Sequence, residues 1–319
     1  MVHGNLKLAG VNFPWDIMSR KLYGRCKMNS KELVTRAVEF KGVPRPPRYF
    51  FNRDFELSDI VSTGYDSAER FVPKENGQTE WGFTISYHNG IMGQPKNAPL
   101  ENGWECFDSF TPPDANESIE YRYGGVEAFC KSHMDKYIML NMGISGFNRT
   151  SFIRGFDNFL TDLYLERDNA KKLIGMVFEF ENDVIRNTAF TGVDAYEFYD
   201  DWGTQNGLLI SPEMFREYFL PHYKSQFELV HHYGKHVYFH SCGKVTEIIQ
   251  DLIDAGADIL NFNQPDVLDV EFLGEKYGGK VCFACPADHQ TVAIHGTKDE
   301  ITTYINRLNR TFGSFNGGY

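Results

Sequence analysis

The sequence predicts an α/β fold, namely a (β/α)8 TIM barrel with an antiparallel hairpin excursion. From residue 137 onward, short apolar segments typical of strands alternate with amphipathic helical segments, and only short loops separate them. Strands joined through a helix in this way run parallel. A chain of 319 residues is long enough for such a barrel to form one domain. We therefore expect residues 28–319 to form a single barrel domain and regard residues 1–27 as a leader of uncertain origin.

The composition excludes several classes of function. A net charge of -11 and a pI near 5.4 do not provide the basic surface that nucleic acids require. No run of 18 apolar residues occurs, so we expect no membrane span. The six cysteines are irregularly spaced, which argues against a secreted disulfide framework. These features favour a cytoplasmic protein that acts on a small molecule.

The first helix is expected directly after Met28. Asn29 can cap its N-terminus, with Glu32 three residues later. Apolar side chains recur on one face of this helix, at Leu33, Val34, Ala37 and Val38. The prolines between positions 44 and 47 end the helix, and Arg48–Phe51 is predicted to form the first inner strand.

The antiparallel excursion is predicted around residue 90. Trp81–Tyr87 alternates between apolar and polar residues like a strand, and His88-Asn89-Gly90 has the composition of a hairpin turn. We expect this segment, which continues to Pro113, to form a lid or wall of the barrel.

The regular part of the chain supplies the remaining elements. Strands are predicted at Tyr137–Met142, Ala195–Tyr199, His236–His240, Asp258–Phe262 and Val281–Cys285. Later helices are predicted at 212–232, from Val245 to the C-cap Gly256, at 267–277 and at 297–312. Residues 313–319 resemble the opening of a final strand, so the last βα unit is expected to be incomplete.

The strongest chemical signal is His240-Ser241-Cys242, which follows the strand from His236. Parallel barrels place their chemistry at the carboxyl ends of strands. Residues two apart on extended backbone point to the same side, and an imidazole with a thiolate is a zinc-type ligand pair. A buried cysteine beside a backbone-bonded histidine is the alternative interpretation. The position of the tripeptide at the start of a βα loop, beside Gly243, favours the metal site.

A catalytic zinc site needs a third protein ligand. Cys282 is expected inside its strand, whereas Cys285 reaches the upper edge, so we predict Cys285 as the third ligand. Asp288 or His289 could take its place.

Polar residues at the other strand ends are predicted to complete the active site. Asp201 and Gln290 are assigned catalytic roles, and the predicted substrate contacts are Trp202, Gln205, Asn261, Gln264 and Asp288. Because successive side chains alternate, we expect Asp201 to face the site and Asp200 to bind barrel backbone or a helix N-terminus.

Four stretches resemble the uroporphyrinogen decarboxylase superfamily, and more closely its corrinoid-dependent methyltransferase branch. These are DDWGTQNGLLISPEMFREYFLPHYK, HVYFHSCGKVTEIIQDLIDAGADILNFNQP, ACPADHQTVAIHGTKDEI and EWGFTISYHNGIMGQPKNAPL. The resemblance implies a TIM barrel and a zinc site of the H-x-C…C type. In that branch, zinc activates a thiol acceptor or acts as a Lewis acid on a methyl donor, and the other partner is a cobalamin carried by a separate protein.

The chain departs from the superfamily at two places. Decarboxylases carry paired arginines after the first strand to hold substrate propionates, whereas this chain has only Arg48 and Arg53 in that region. The final cysteine ligand of the thiol-activating relatives would lie where this chain has Asn316-Gly317-Gly318. The choice of Cys285 therefore depends on this sequence alone.

The resulting hypothesis is a zinc-dependent methyltransferase that moves a methyl group between a small molecule and a corrinoid protein. One alternative is a decarboxylase of a smaller cyclic acid. Another is a non-catalytic barrel that only docks a corrinoid protein.

Overall fold

A six-stranded parallel sheet forms the centre of the fold in a computed structural model that describes residues 28–51, 54–88 and 91–319. The strands are β1 (Ile60–Thr63), β2 (Thr84–His88), β3 (Ile91–Lys96), β4 (Tyr137–Ile144), β5 (Ala195–Tyr199), β6 (His236–His240), β7 (Ile259–Asn261) and β8 (Cys282–Phe283). The parallel sheet has the order β1-β4-β5-β6-β7-β8. Strands β2 and β3 form a separate antiparallel pair.

Helices connect the successive strands of the parallel sheet. They are α1 (Ser30–Val38), α2 (Ile119–Ser132), α3 (Gly146–Arg154), α4 (Phe156–Leu165), α5 (Arg167–Thr188), α6 (Pro212–Tyr218), α7 (Leu220–His232), α8 (Ile249–Ala255), α9 (Val270–Tyr277), α10 (Val292–His295) and α11 (Lys298–Phe312). Short 3-10 helices lie at Trp104–Ser109 and Pro265–Leu268. The side chain of Asn29 accepts the N–H of Glu32, as the sequence predicts for the start of α1.

The two faces of β6 are both buried, which explains its almost continuous apolar sequence. Val237 and Phe239 lie in the large apolar cluster that also contains the inner sides of the helices. Tyr238 points to the opposite face and belongs to a smaller cluster, which Val34 of α1 also joins. His240 shares the parity of Tyr238, so the two-residue alternation directs its ring to the same inner side.

The predicted α/β class, with parallel strands and an antiparallel excursion, is confirmed. Closure of an eight-stranded barrel stays a prediction. The C-terminal segment lies between β8 and α1, because the Phe283 N–H donates to the Gly318 carbonyl and the Gly318 N–H donates to the Ala37 carbonyl, both at 2.8 Å.

The prediction of a first strand at Arg48–Phe51 is wrong, because the first strand is β1. The Arg48 carbonyl accepts the N–H of Asp59 at 2.8 Å, and the Phe50 N–H donates to the Ser58 hydroxyl at 3.2 Å. The segment therefore hydrogen-bonds to the residues just before β1 and does not form a strand of the sheet.

Two predicted helices also differ from those observed. The helix after β6 begins at Ile249 and not at Val245, because residues 246–248 form a turn before it. The helix predicted over 212–232 is divided between α6 and α7 at Phe219, close to Pro221, which has no N–H to donate.

Some expectations lie outside the described residues, namely the leader at 1–27, Arg53 and the Asn89-Gly90 turn. Within the described ranges, no helix is long and apolar enough to cross a membrane.

One ion pair gives the fold a testable pH dependence. His231 Nε2 lies 2.8 Å from Asp258 Oδ2, an oxygen that also accepts the Val237 N–H at the start of β6. The hydrogen bond with Asp258 outweighs the cost of burial and raises the pKa of His231. The pair therefore stabilises the fold below the unfolded pKa of about 6.5, and this contribution is lost as the pH rises through the raised value.

Replacing His231 by Gln should thus destabilise the protein at pH 5.5 by less than about 1 kcal/mol, because the pair is partly exposed. The difference should vanish at pH 9. Urea unfolding of both proteins at the two pH values measures it, and equal destabilisation at both values would contradict the assignment.

Candidate metal centre

Three neighbouring strands bring the polar residues of the site together. Tyr199 of β5 is in register with His240 of β6, and His240 is in register with Asn261 of β7. Asp201 lies two residues beyond the end of β5, and Cys242 lies two residues beyond the end of β6. Since parallel strands end at the same edge of the sheet, these side chains converge there.

Asp201, His240 and Cys242 form what we call the metal group. Their ligand atoms all lie within 4.8 Å of one another. His240 Nε2 is 3.4 Å from Cys242 Sγ and 3.4 Å from Asp201 Oδ1. Asp201 Oδ1 also accepts the Cys242 N–H at 2.7 Å. A single oxygen, Asp201 Oδ1, therefore binds the loop that carries the thiol and also faces the imidazole.

Asn261 determines which nitrogen of His240 is available. The Asn261 amide nitrogen donates to the Ala284 carbonyl, so its Oδ1 is left to face His240 Nδ1 at 2.5 Å. Oδ1 can only accept, and Nδ1 must therefore carry the proton. The lone pair of Nε2 then points toward Asp201 and Cys242 in the neutral ring, which is the tautomer that a metal requires.

The metal group is electrostatically coupled. Burial disfavours the imidazolium, but the hydrogen bonds with Asp201 and Cys242 outweigh it and raise the pKa of His240 to about 10. Burial also acts to raise the pKa of Asp201, but the hydrogen bond with His240 prevails and lowers it. His240 is almost wholly buried, whereas the Asp201 side chain is 40% exposed. A cation is thus favoured between these groups, with access from solvent on the carboxylate side.

The donor set fits zinc. One thiolate, one imidazole and one carboxylate are the ligand types that zinc uses, and catalytic zinc sites combine three protein ligands with an open position. Asn261 supplies the supporting hydrogen bond that metal-ligating histidines normally have.

The crossing of two loops positions Cys242. Gly243 has a φ of +77°, and a Cβ there would meet the backbone of Gly203 at 2.3 Å. The loops after β5 and β6 therefore touch backbone to backbone, at a distance that only glycine allows. This contact explains why Asp201 reaches the Cys242 amide.

Asp200 points away from the metal group, as the alternation of side chains predicts. It is wholly buried and accepts the N–H groups of Phe147 at 2.9 Å and Asn148 at 2.8 Å, at the start of α3. The Tyr223 hydroxyl also donates to it. Asp200 thus anchors a helix N-terminus.

Cys285 is not part of the metal group. It is buried in the large apolar cluster, and burial raises the pKa of its thiol to about 12. Asp201 from β5 occupies the position that the sequence assigned to Cys285, Asp288 or His289. Cys282 is buried in the smaller inner cluster, as its expected position inside the strand implies.

Three predicted substrate contacts have other partners. Trp202 is wholly buried among Phe147, Phe215 and Phe219, so the indole offers no surface to a substrate. Asp288 is buried, and its Oδ1 accepts the N–H groups of residues 290 and 291, which closes a turn. Asn261 supports His240, as described above. Each was predicted from its place after a strand, which does not reveal the direction of the side chain.

The glutamines remain at the surface. Gln205 Nε2 donates to Gln264 Oε1 at 3.3 Å, so these two predicted contacts lie together. Gln290 is exposed beyond the turn that Asp288 closes. Their roles toward a substrate stay predictions.

The sequence analysis assigned no functional role to two residues of β5. Glu197 is wholly buried in the centre of the strand, and Tyr199 packs beside His240 with ring centroids 5.1 Å apart. Burial raises the pKa of Glu197, although hydrogen bonds from Tyr199, Ser62 and Tyr49 oppose this shift. The available signal was a glutamate inside the otherwise apolar-aromatic segment AYEFY.

An apolar cavity of about 390 Å³ reaches Asn261, the residue that is hydrogen-bonded to His240. Its lining includes Ile60 of β1, Cys282 of β8, Tyr49 and Asn261, but none of the three members of the metal group. A molecule in this cavity would contact the residue that orients His240.

Known proteins provide an independent comparison. A model of the uroporphyrinogen decarboxylase (URO-D) family matches residues 79–312. The fold is similar to that of a methyltransferase from Methanosarcina mazei, with a TM-score of 0.61 and 15% identity over 89% of this chain and 77% of that chain. A D-psicose 3-epimerase gives a TM-score of only 0.40, with 12% identity over 62% of this chain and 70% of the other, which is too low to support an argument. No curated protein sequence matches the chain.

The geometry predicts which substitutions abolish metal binding. Asp201→Asn and Cys242→Ser should each weaken zinc binding by more than the roughly 10- to 100-fold typical of losing a supporting group. Cys285→Ser should leave the Kd for zinc unchanged, because Cys285 lies outside the metal group. Competition titration with a chelator gives the three values. A loss in Cys285→Ser as large as in Cys242→Ser would contradict this ligand set.

The two adjacent aspartates should differ in their effect on stability. Asp200→Asn places an amide N–H against a backbone N–H donor, which should lower the free energy of unfolding by roughly 1–3 kcal/mol. Asp201→Asn, compared under the same metal-free conditions, should lose less stability, because the side chain is 40% exposed and an amide oxygen can still accept the Cys242 N–H. Chemical denaturation with chelator present separates the two effects, and the reverse pattern would show that the assigned roles are exchanged.

Proposed function

The chain belongs to the uroporphyrinogen decarboxylase family, and on that premise we propose that it is a zinc-dependent methyltransferase that moves a methyl group between a small molecule and a corrinoid protein. The observation that carries the proposal is the metal group, in which a thiol, an imidazole and a carboxylate meet at the ends of β5 and β6. The protein from Methanosarcina mazei, described as a methyltransferase, has a similar fold, so methyl transfer is compatible with this scaffold.

Asp201, His240 and Cys242 would hold the zinc ion. When bound there, zinc would supply Lewis acidity, which lowers the pKa of a thiol or polarises a methyl–heteroatom bond. Asn261 keeps the proton on Nδ1 of His240, and Asp201 holds the backbone amide of Cys242. These contacts fix the donor atoms before the metal or the substrate arrives, which is the advantage of a preorganised site.

Three glutamines supply the neutral hydrogen-bonding groups in this proposal. Gln205 Nε2 donates to Gln264 Oε1 at 3.3 Å. Gln290 is exposed, and its backbone N–H donates to Asp288 in the turn that Asp288 closes. We assign these glutamines to orient the small molecule by hydrogen bonds. Cobalamin would be presented at the same open face by its carrier protein.

A decarboxylase would need cationic groups to hold the carboxylates of its substrate. Within the described ranges, no hydrogen bond or ion pair joins an arginine or lysine side chain to the metal group. Arg45 binds both carboxylate oxygens of Asp59, at 2.6 and 2.7 Å, and is therefore neutralised. This chemistry favours methyl transfer over decarboxylation.

The test combines a metal assay with a cobalamin assay. Purified protein should hold about one zinc per chain, as expected for a single site. With Co(I) cobalamin as the acceptor, a panel of methyl ethers, methyl thiols and methylamines should yield methylcobalamin with at least one donor, followed by the change in the visible spectrum. Cys242→Ser should abolish the signal, whereas Cys106→Ser, which alters an exposed thiol elsewhere, should retain it.

Two outcomes would overturn the proposal. Release of CO2 from a cyclic acid, without methyl transfer, would establish the decarboxylase. Binding of cobalamin with no turnover of any donor would instead favour the non-catalytic docking barrel.

A further inference from the structure

Glu197 is a buried carboxylate that the proposed methyl transfer does not use. It lies in the centre of β5 and is wholly excluded from solvent. Three hydroxyl groups donate to it, from Tyr199 at 2.6 Å, Ser62 at 2.9 Å and Tyr49 at 3.3 Å. All three donors are neutral.

Some of the other buried carboxylates in the described residues have arginine partners. Glu181 pairs with Arg149 at 3.1 Å, and Asp162 pairs with Arg154 at 2.6 Å. A buried charge without such a partner is costly. In the described part of the chain, no arginine or lysine forms an ion pair with Glu197.

Tyr199 connects Glu197 to the metal group. Its hydroxyl donates to Glu197, and its ring packs against the His240 ring with a centroid distance of 5.1 Å. Tyr199 is also in register with His240 across β5 and β6. The ring of His240 thus has two neighbours, Asn261 through a hydrogen bond and the tilted ring of Tyr199.

Tyr238 lies opposite Glu197 in the β5–β6 register and is also buried.

We propose that Glu197 is a positioning residue of the metal group, which acts by fixing the Tyr199 ring against His240. Its carboxylate accepts the hydrogen bond of the Tyr199 hydroxyl, which holds the Tyr199 ring beside His240. His240 then keeps Nε2 directed at Asp201 and Cys242. This inference deepens the proposed function, because it rests on zinc binding at the metal group.

The test measures zinc affinity and ligand geometry directly. Glu197→Gln weakens the link, because a neutral amide oxygen is a poorer acceptor than a carboxylate, and Tyr199→Phe removes it; both keep the size of the side chain. Each should raise the Kd for zinc about 10-fold or more, in the range found for supporting groups. Each should also shift the visible absorption of the Co²⁺-substituted protein, a change that a role in stability alone would not produce.

Glu181→Gln is the matched control. Glu181 is equally buried but contacts Arg149, Gln226 and the Gly146 amide, and not the metal group. It should lose stability with an unchanged Kd and an unchanged Co²⁺ spectrum. If Glu197→Gln does not fold, Tyr199→Phe alone decides the question.

The outcomes separate the two proposals. If the parent protein binds no zinc, the proposed metal centre itself is refuted. Parent protein that binds zinc, with Glu197→Gln and Tyr199→Phe binding it equally well and with unchanged Co²⁺ spectra, would overturn only the role of Glu197.

Discussion

The hydrogen bond between His240 and Asn261 determines what the metal group can do. A histidine ring has two nitrogens, and its chemistry depends on which of them keeps the proton. Asn261 can accept from Nδ1 only because its own amide nitrogen is bound to the Ala284 carbonyl at the next strand. The direction of one lone pair therefore depends on the register of three strands, and a shift of one residue would turn every inner side chain to the other face.

The adjacent aspartates show how one strand end serves both stability and chemistry. Asp200 points toward the helices, where it caps α3 and completes a buried network with Tyr223. Asp201 points toward the inner side, where it binds the Cys242 amide and faces His240. Their environments shift the pKa values in opposite directions, since burial raises that of Asp200 well above its usual value and the bond to His240 lowers that of Asp201. The aspartate with the lowered pKa is thus the one that lies beside His240.

Burying polar side chains on the inner side of the sheet costs free energy, and the apolar packing of the surrounding core offsets this cost. Glu197, His240 and Asn261 all lie almost wholly out of solvent. On the other side of the sheet, Trp202 sits among Phe147, Phe215 and Phe219 with ring centroids 4.6–4.8 Å apart. Aromatic packing of this density stabilises the loop that follows β5. Trp202 therefore stabilises this loop by packing. Its position next to Asp201 had instead suggested a contact with substrate.

The sequence by itself determined the features that depend on local periodicity. Alternating strands and helices specified the α/β class, the H-x-C tripeptide predicted that His240 and Cys242 lie together, and the two-residue alternation separated Asp200 from Asp201. Only the tertiary structure decided that Asp201 and not Cys285 joins His240 and Cys242, and that Trp202, Asp288 and Glu197 are buried. These outcomes depend on how loops from different strands cross, as at Gly203 and Gly243, and on which side chains then come within a few ångströms of Nε2. Spacing along one chain carries no information about such distances, because they are set by contacts between segments that are remote in sequence.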